Sequence, residues 1–191
     1  GTWTISSDQL VGTPSPVYSE TYSLVDLEIS STSLIEFETT LQTDAFGGVI
    51  FDRYNDGDFK FAGLSVATDE LLIGHYTAKH GWVIDFSTPE EISSAQDYEL
   101  RIVIKGLTIS MVIDGQTKPG FVFNGVVVDG GFGLLTNGGT TTFDDLTIKT
   151  DDPAYAEPEE GEALRATYYA PEEMVVTESL QPDQLDLVAS Q

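Results

Sequence analysis

Both histidines of the chain and one of its two tryptophans fall in a single nine-residue run, Gly74-His75-Tyr76-Thr77-Ala78-Lys79-His80-Gly81-Trp82. Two imidazoles this close invite a metal. Zinc, however, takes three or four N, S or O ligands, and the chain has no cysteine to join the pair. The other chemistry open to the run is binding. His75, Tyr76, His80 and Trp82 could line a groove in which rings stack on the faces of a ligand such as a sugar. The same residues also read as core aromatics beside a hydrogen-bonded histidine, and spacing alone leaves both readings open. A second concentration of chemistry is acidic: Asp52, Asn55, Asp56 and Asp58. It lacks the Asp-x-Asp-x-Asp-Gly order and the twelfth-position Glu of a calcium loop, so it reads as a hairpin tip. Paired carboxylates for glycoside hydrolysis have one candidate, Glu36 and Glu38 on one face of a strand, without a Glu-x-Asp-x-x-Glu run around them. No Ser/His/Asp arrangement and no Gly-rich phosphate loop appears. The expectation is a protein that is not an enzyme.

These residues must be positioned by strands. Val49, Phe51 and Arg53 alternate with Ile50, Asp52 and Tyr54, and Phe59 and Phe61 alternate with Lys60 and Ala62. A period of two places one set on a core face and the other toward solvent. Asp56-Gly57 between them supplies a tight turn, and Asp69-Glu70 and Lys79-His80-Gly81 mark the next two. Residues 46–86 therefore predict a meander of three or four antiparallel strands. Residues 1–12 read as strand, turn and return strand, interrupted by Thr13-Pro14-Ser15-Pro16. Residues 17–30 fit either a strand or one helical turn. Leu34–Thr43, Tyr98–Ile104, Leu107–Ile113 and Thr141–Thr150 alternate as strands, with Asp114-Gly115 and Asn137-Gly138-Gly139 as turns. Strands at this spacing, with no long helix before residue 150, predict an all-β sandwich or barrel.

The charge is −24, with 32 acidic and 8 basic side chains in 191 residues. Residues 1–150 hold 21 acidic and 7 basic groups, and residues 151–191 hold 11 and 1. Binding nucleic acid by phosphate neutralisation is excluded, as is attraction to anionic membranes. No apolar run approaches the ~20 residues of a membrane span. Clustered carboxylates suit calcium, and they equally suit a soluble surface. The absence of cysteine fits a secreted bacterial protein as well as a cytosolic one. The start at Gly-Thr-Trp suggests a piece of something larger.

Three segments carry a family resemblance: Phe59–Gly63 (FKFAG), Ile73–Asp85 (IGHYTAKHGWVID) and Gly131–Asp152 (GFGLLTNGGTTTFDDLTIKTDD). Together they resemble a concanavalin A-like, laminin G-like jelly-roll module of large secreted bacterial proteins, including calcium-dependent adhesins. The resemblance covers about residues 1–152. It implies a two-sheet antiparallel jelly roll. Residues 153–191 read from their own composition as an acidic, partly helical C-terminal extension, with Pro171-Glu172-Glu173 opening one helix at Ala170 and Ser179–Gln184 opening another. The resemblance further implies an extracellular or cell-surface location and a non-catalytic role in carbohydrate binding or adhesion. The partners would be a glycan or another cell-surface or matrix ligand, and the neighbouring domains of the same large protein. In such modules an acidic residue near the last strand often holds a structural calcium against the first. Asp144 and Asp145, with Asp8 in the first turn, are the residues here that match. The alternatives are a structural or self-association spacer, and a glycoside hydrolase-like enzyme.

Overall fold

The computed structural model describes residues 1–156 and the backbone of residues 168–169. In chain order the first seven strands are β1 (Thr2–Ser6), β2 (Gln9–Thr13), β3 (Glu20–Val25), β4 (Leu34–Thr43), β5 (Phe46–Asn55), β6 (Asp58–Ser65) and β7 (Glu70–Thr77). There follow β8 (Gly81–Pro89), β9 (Tyr98–Lys105), β10 (Thr108–Ile113), β11 (Gln116–Val122), β12 (Gly131–Asn137), β13 (Thr141–Thr150) and a two-residue β14 (Tyr168–Tyr169). A single turn of 3-10 helix, Pro153–Tyr155, follows β13.

The strands form two seven-stranded sheets, ordered β1-β2-β13-β4-β9-β10-β11 and β14-β3-β12-β5-β6-β7-β8. The chain crosses between sheets repeatedly, as in a jelly roll. Every pair joins antiparallel, and β5 to β8 form the meander read from the sequence. Residues 17–30 hold a strand, β3, and not a helical turn. The hairpin at Asp114-Gly115 shows why that dipeptide is there: φ is 47° and 74°, the left-handed region that a type I′ turn demands at both positions.

The main core lies between the sheets. Ile35, Phe37 and Leu41 of β4, Leu100, Ile102 and Ile104 of β9, and Met111 of β10 meet Val49, Phe51, Ala62, Leu64, Leu71, Ile73 and Leu134 of the other sheet. Trp3 stacks on Phe143 at 5.9 Å between ring centroids and donates its indole N–H to Thr21 at 3.1 Å. Each buried large apolar side chain contributes about 1.5–3 kcal/mol.

The second sheet departs from the expected core-and-solvent alternation, because it buries both faces. Phe59 and Phe61 are 1% exposed and Ile50 and Leu135 0% exposed. They belong to a separate cluster with Phe46 and Leu72, against which Tyr22, Leu24, Tyr76 and Trp82 pack. The register assigns this cluster to the face turned away from the main core: Leu24, Gly133, Ile50, Phe61 and Gly74 follow one another across β3, β12, β5, β6 and β7. Phe59 and Phe61 thus face outward, and Ala62 beside them faces the inter-sheet core. Strict alternation reports only that neighbours point opposite ways; it does not say which face is covered.

Asp152 begins the descent from the last strand. It is buried and accepts hydrogen bonds from Ser30 N–H (2.6 Å), Ser33 Oγ (3.0 Å) and Ala154 N–H (2.9 Å). Tyr155 Oη then accepts the N–H of Glu28 at 2.9 Å. β14 adds to the free edge of β3, with Tyr168 opposite Val25 and Tyr169 opposite Leu24. The helices expected near Ala170 and Ser179 lie outside the described residues.

Candidate functional site

The four residues singled out around the histidines do not converge. Tyr76 and Trp82 face each other across β7 and β8, on the outward cluster. Tyr76 stacks on Phe59 at 5.0 Å and 11°, and Trp82 packs on Phe61 at 4.6 Å. His75 lies on the opposite side of β7, and its Nδ1 is 2.7 Å from Asp85 Oδ2. His80 is exposed in the β7–β8 turn, where its N–H donates to Thr77 Oγ1 at 3.2 Å. Tyr76 and Trp82 thus pack against the outward cluster, while His75 is hydrogen-bonded to Asp85 on the other side of the strand.

Asp144 and Asp145 lie within β13 and not at its start. The strand bulges there, skipping register between Asp144 and Thr147, and Asp145 takes φ 51°. Asp144 Oδ2 accepts from Gln9 Nε2 at 3.2 Å, its Oδ1 from the Asp145 N–H at 2.9 Å, and its carbonyl from Thr39 Oγ1 at 2.8 Å. Asp8 sits at φ 66° in the exposed β1–β2 turn. Calcium takes six to eight oxygens. Here the protein's own donors already engage the Asp144 oxygens, and among the described residues no three His, Asp or Glu side chains group so as to hold a metal. This donor set does not fit a calcium cage. Glu36 and Glu38 are likewise engaged, both ion-paired to Lys149 and to Arg101.

The richest polar arrangement lies at one end of the sandwich, where β5 runs out. Asp52 takes φ 49° in a bulge that interrupts the β5–β6 register between Phe51 and Asn55. The bulge turns its carboxylate, 1% exposed as a residue, onto Lys60. Burial raises its pKa above the ordinary carboxylate range, against the opposing pull of Lys60. Gly130 packs on this bulge so closely that a Cβ there would stand 2.5 Å from the Asp52 carbonyl carbon.

Beyond the bulge, the next two side chains open into a cleft of about 390 Å³ lined by Leu27, Glu28, Ile29, Arg53, Tyr54, Asp129, Gly130 and Gly131. Tyr54 is 55% exposed, and its hydroxyl donates to Asp129 Oδ1 at 2.9 Å. That bond holds the Asp129 carboxyl below its usual range, and burial together with Asp129 pushes the Tyr54 hydroxyl up. The Arg53 guanidinium lies 4.7 Å from the Tyr22 ring centroid, donates to Tyr22 Oη at 2.9 Å and pairs with Asp56. The floor of the third wall, Leu27–Ile29, is braced from behind by the Tyr155 and Asp152 contacts to Glu28 and Ser30. Two buried side-chain atoms among the described residues have no hydrogen-bond partner, Asp52 Oδ1 and Arg53 Nε, and both belong to this bulge.

In the sequence Asp52, Asn55, Asp56 and Asp58 stand out as an acidic cluster, whereas Arg53 and Tyr54 between them read only as alternating strand positions. The available signal was charge. Arg53 is one of only two arginines in residues 1–150 of a strongly acidic chain, and a rare cation amid carboxylates marks a built ion-pair network.

In sequence, no protein-family model and no curated protein matches the chain. In structure, a carbohydrate-binding module from Bacillus subtilis, CBM66, aligns with a TM-score of 0.64 at 16% identity, over 78% of this chain and 91% of that one. An alginate lyase of polysaccharide lyase family 7, AlgAT5, aligns with a TM-score of 0.50 at 11% identity, over 78% and 82%. The fold is a jelly-roll sandwich. At these identities the likeness concerns fold alone, consistent with the concanavalin A-like architecture the sequence resembles.

Proposed function

We propose that this chain is a non-catalytic carbohydrate-binding module, acting outside the cell as one unit of a larger bacterial surface protein. The observation that carries the reading is the cleft at the end of β5. A carboxylate (Asp129), a guanidinium (Arg53), the backbone of Gly130 and Gly131 and a half-exposed ring (Tyr54) line an open cleft of about 390 Å³. Small-molecule sites have this size and this sparse set of oriented polar groups. Vicinal sugar hydroxyls donate to a carboxylate and accept from a guanidinium, and an apolar sugar face lies against a tyrosine ring. The structural likeness to a carbohydrate-binding module supports the same reading.

The ligand is a neutral glycan. With a net charge of −24 the protein repels polyanions such as uronate chains, and Arg53, the one cation lining the cleft among the described residues, is already paired with Asp56. The non-catalytic reading is supported by the engagement of Glu36 and Glu38, both of which are ion-paired with Lys149 and Arg101.

A glycan array of neutral and uronate-bearing oligosaccharides tests this. Retention of a neutral class is expected. Asp129→Ala should lower affinity about tenfold or more, as loss of a charged hydrogen bond does, while His80→Ala leaves it unchanged. No retention of any glycan, or retention indifferent to Asp129→Ala, would contradict the assignment.

A further inference from the structure

Strand β1 leaves the first sheet with an edge that none of the usual devices blunts. Ser7 (φ 53°) and Asp8 (φ 66°) close β1 onto β2 by a two-residue turn of the I′ kind. In such a hairpin the residues flanking the turn, Ser6 and Gln9, form a hydrogen-bonded pair. Bonded pairs then recur at every second residue, Thr4 with Val11 and Thr2 with Thr13. The N–H and C=O groups of Trp3 and Ile5 therefore point away from β2, to an edge that no strand among the described residues covers. The other sheet edges are protected. β11 carries Lys118 and Pro119 and meets β10 with a register shift, β8 has a register shift of its own and ends at Pro89, and β14 is two residues long. β1 has an unbroken register and holds no charge, proline or glycine. The surface around it also changes character. In a chain with 32 acidic residues, Asp8 is the only charged side chain in residues 1–19. The three most exposed large apolar side chains of the described residues belong to the same stretch: Val17 at 80%, Ile5 at 78% and Tyr18 at 66%.

We infer that β1 is a docking edge for a second copy of this chain, joining the first sheets of both copies across a two-fold axis at Thr4. Antiparallel pairing of Thr2–Ser6 with itself sets Trp3 opposite Ile5 of the second copy and Thr4 opposite Thr4. Trp3 and Ile5 are the residues whose backbone groups point outward, so this register closes four backbone hydrogen bonds, two donated by each chain. Ile5 then lies beside Trp3 of the second copy and gives up its exposure to water. Charge selects a second copy over a foreign strand. A protein of net −24 repels its own kind except where its surface is uncharged, whereas a basic partner is drawn to the acidic surfaces elsewhere. The inference does not rest on the glycan cleft, which uses none of these residues.

Sedimentation velocity of the full chain over a range of concentrations tests this. A monomer–dimer equilibrium that tightens as salt rises is expected, because screening relieves the repulsion between two acidic bodies. Ile5→Pro removes an outward N–H that no bond to β2 uses. It should weaken association about tenfold, since two hydrogen bonds are lost per dimer. The exposed Thr4 gives a second test that does not touch the backbone. Thr4→Lys and Thr4→Glu each set like charges opposite one another and should weaken self-association severalfold, and an equimolar mixture of the two should restore it. Val122→Ser, at an exposed apolar position on β11, should leave association unaltered. A chain that stays monomeric at every concentration and salt would overturn the inference. So would a dimer indifferent to Ile5→Pro, or a Lys–Glu mixture that associates no better than either variant alone, which would assign the contact to another surface.

Discussion

Asp52 concentrates the energetics of the site in one side chain. Its carboxylate is buried, held by Lys60, and leaves Oδ1 without a partner. Removing the cation should therefore cost more than an ordinary surface ion pair is worth. Lys60→Met is expected to destabilise the fold by about 3–5 kcal/mol at neutral pH, since it strands a buried charge. The sign with pH follows from the raised pKa of Asp52: the neutral acid is the form the folded state prefers. The penalty of Lys60→Met should then shrink as pH falls, which denaturant melts at several pH values would read directly. A pH-independent penalty would show that the loss is one of packing. None of this was legible from composition. The acidic run 52–58 was visible, but the turn of Asp52 into the interior depends on a bulge at φ 49° that no alternating pattern announces.

At the scale of elements, the strands and turns were readable because period two and Asp-Gly dipeptides act locally. The layer assignment was not, because it depends on what covers each face. The close approach of β5 and β6 at Gly48 and Gly63 makes this concrete: a Cβ at Gly63 would meet the Gly47 carbonyl oxygen at 2.2 Å and the Gly48 Cα at 2.8 Å. Both obstacles are backbone and neither can rotate aside. Gly63→Ala is expected to destabilise the fold by about 1–3 kcal/mol or more through overpacking, lowering the thermal midpoint by several degrees. A neutral result would mean that the two strands separate readily and that the outward cluster is loosely held. The brace behind the cleft makes a second case at this scale. Asp152→Asn keeps the shape but discards the charge that three donors orient. It should lower the thermal midpoint and loosen Leu27–Ile29, seen as faster amide exchange at Glu28.

For the whole molecule, the charge and the fold act separately. Asp56, Asp129, Asp151 and Asp152 all have pKa values held below the ordinary carboxylate value. The first two owe this to tyrosine hydroxyls, and Asp151 and Asp152 chiefly to the N–H groups of Leu34 and Ala154. Groups depressed in this way add stability above their unfolded pKa and lose it as pH falls through their folded one. Asp52, shifted the other way, gains as pH falls. Four depressed carboxyls against one raised one predict a midpoint that drops below about pH 4, with a shallower drop in Asp129→Asn. Thermal unfolding in calcium and then in chelator should give nearly the same midpoint, because the Asp144 oxygens are already engaged. A rise of several degrees in calcium would instead reveal a native-state site. The all-β strand pattern was legible from the residues and the jelly roll from the family resemblance; the candidate cleft was not, since it is assembled from three distant segments, Leu27–Ile29, Arg53–Tyr54 and Asp129–Gly131, that only the fold brings together. The most direct measurement is an amide NMR titration of the full chain with the neutral glycan that the array retains. The account predicts shifts concentrated at Glu28, Arg53, Tyr54, Gly130 and Gly131. Shifts confined to Tyr76, His80 and Trp82, or no shifts at saturating glycan, would contradict it.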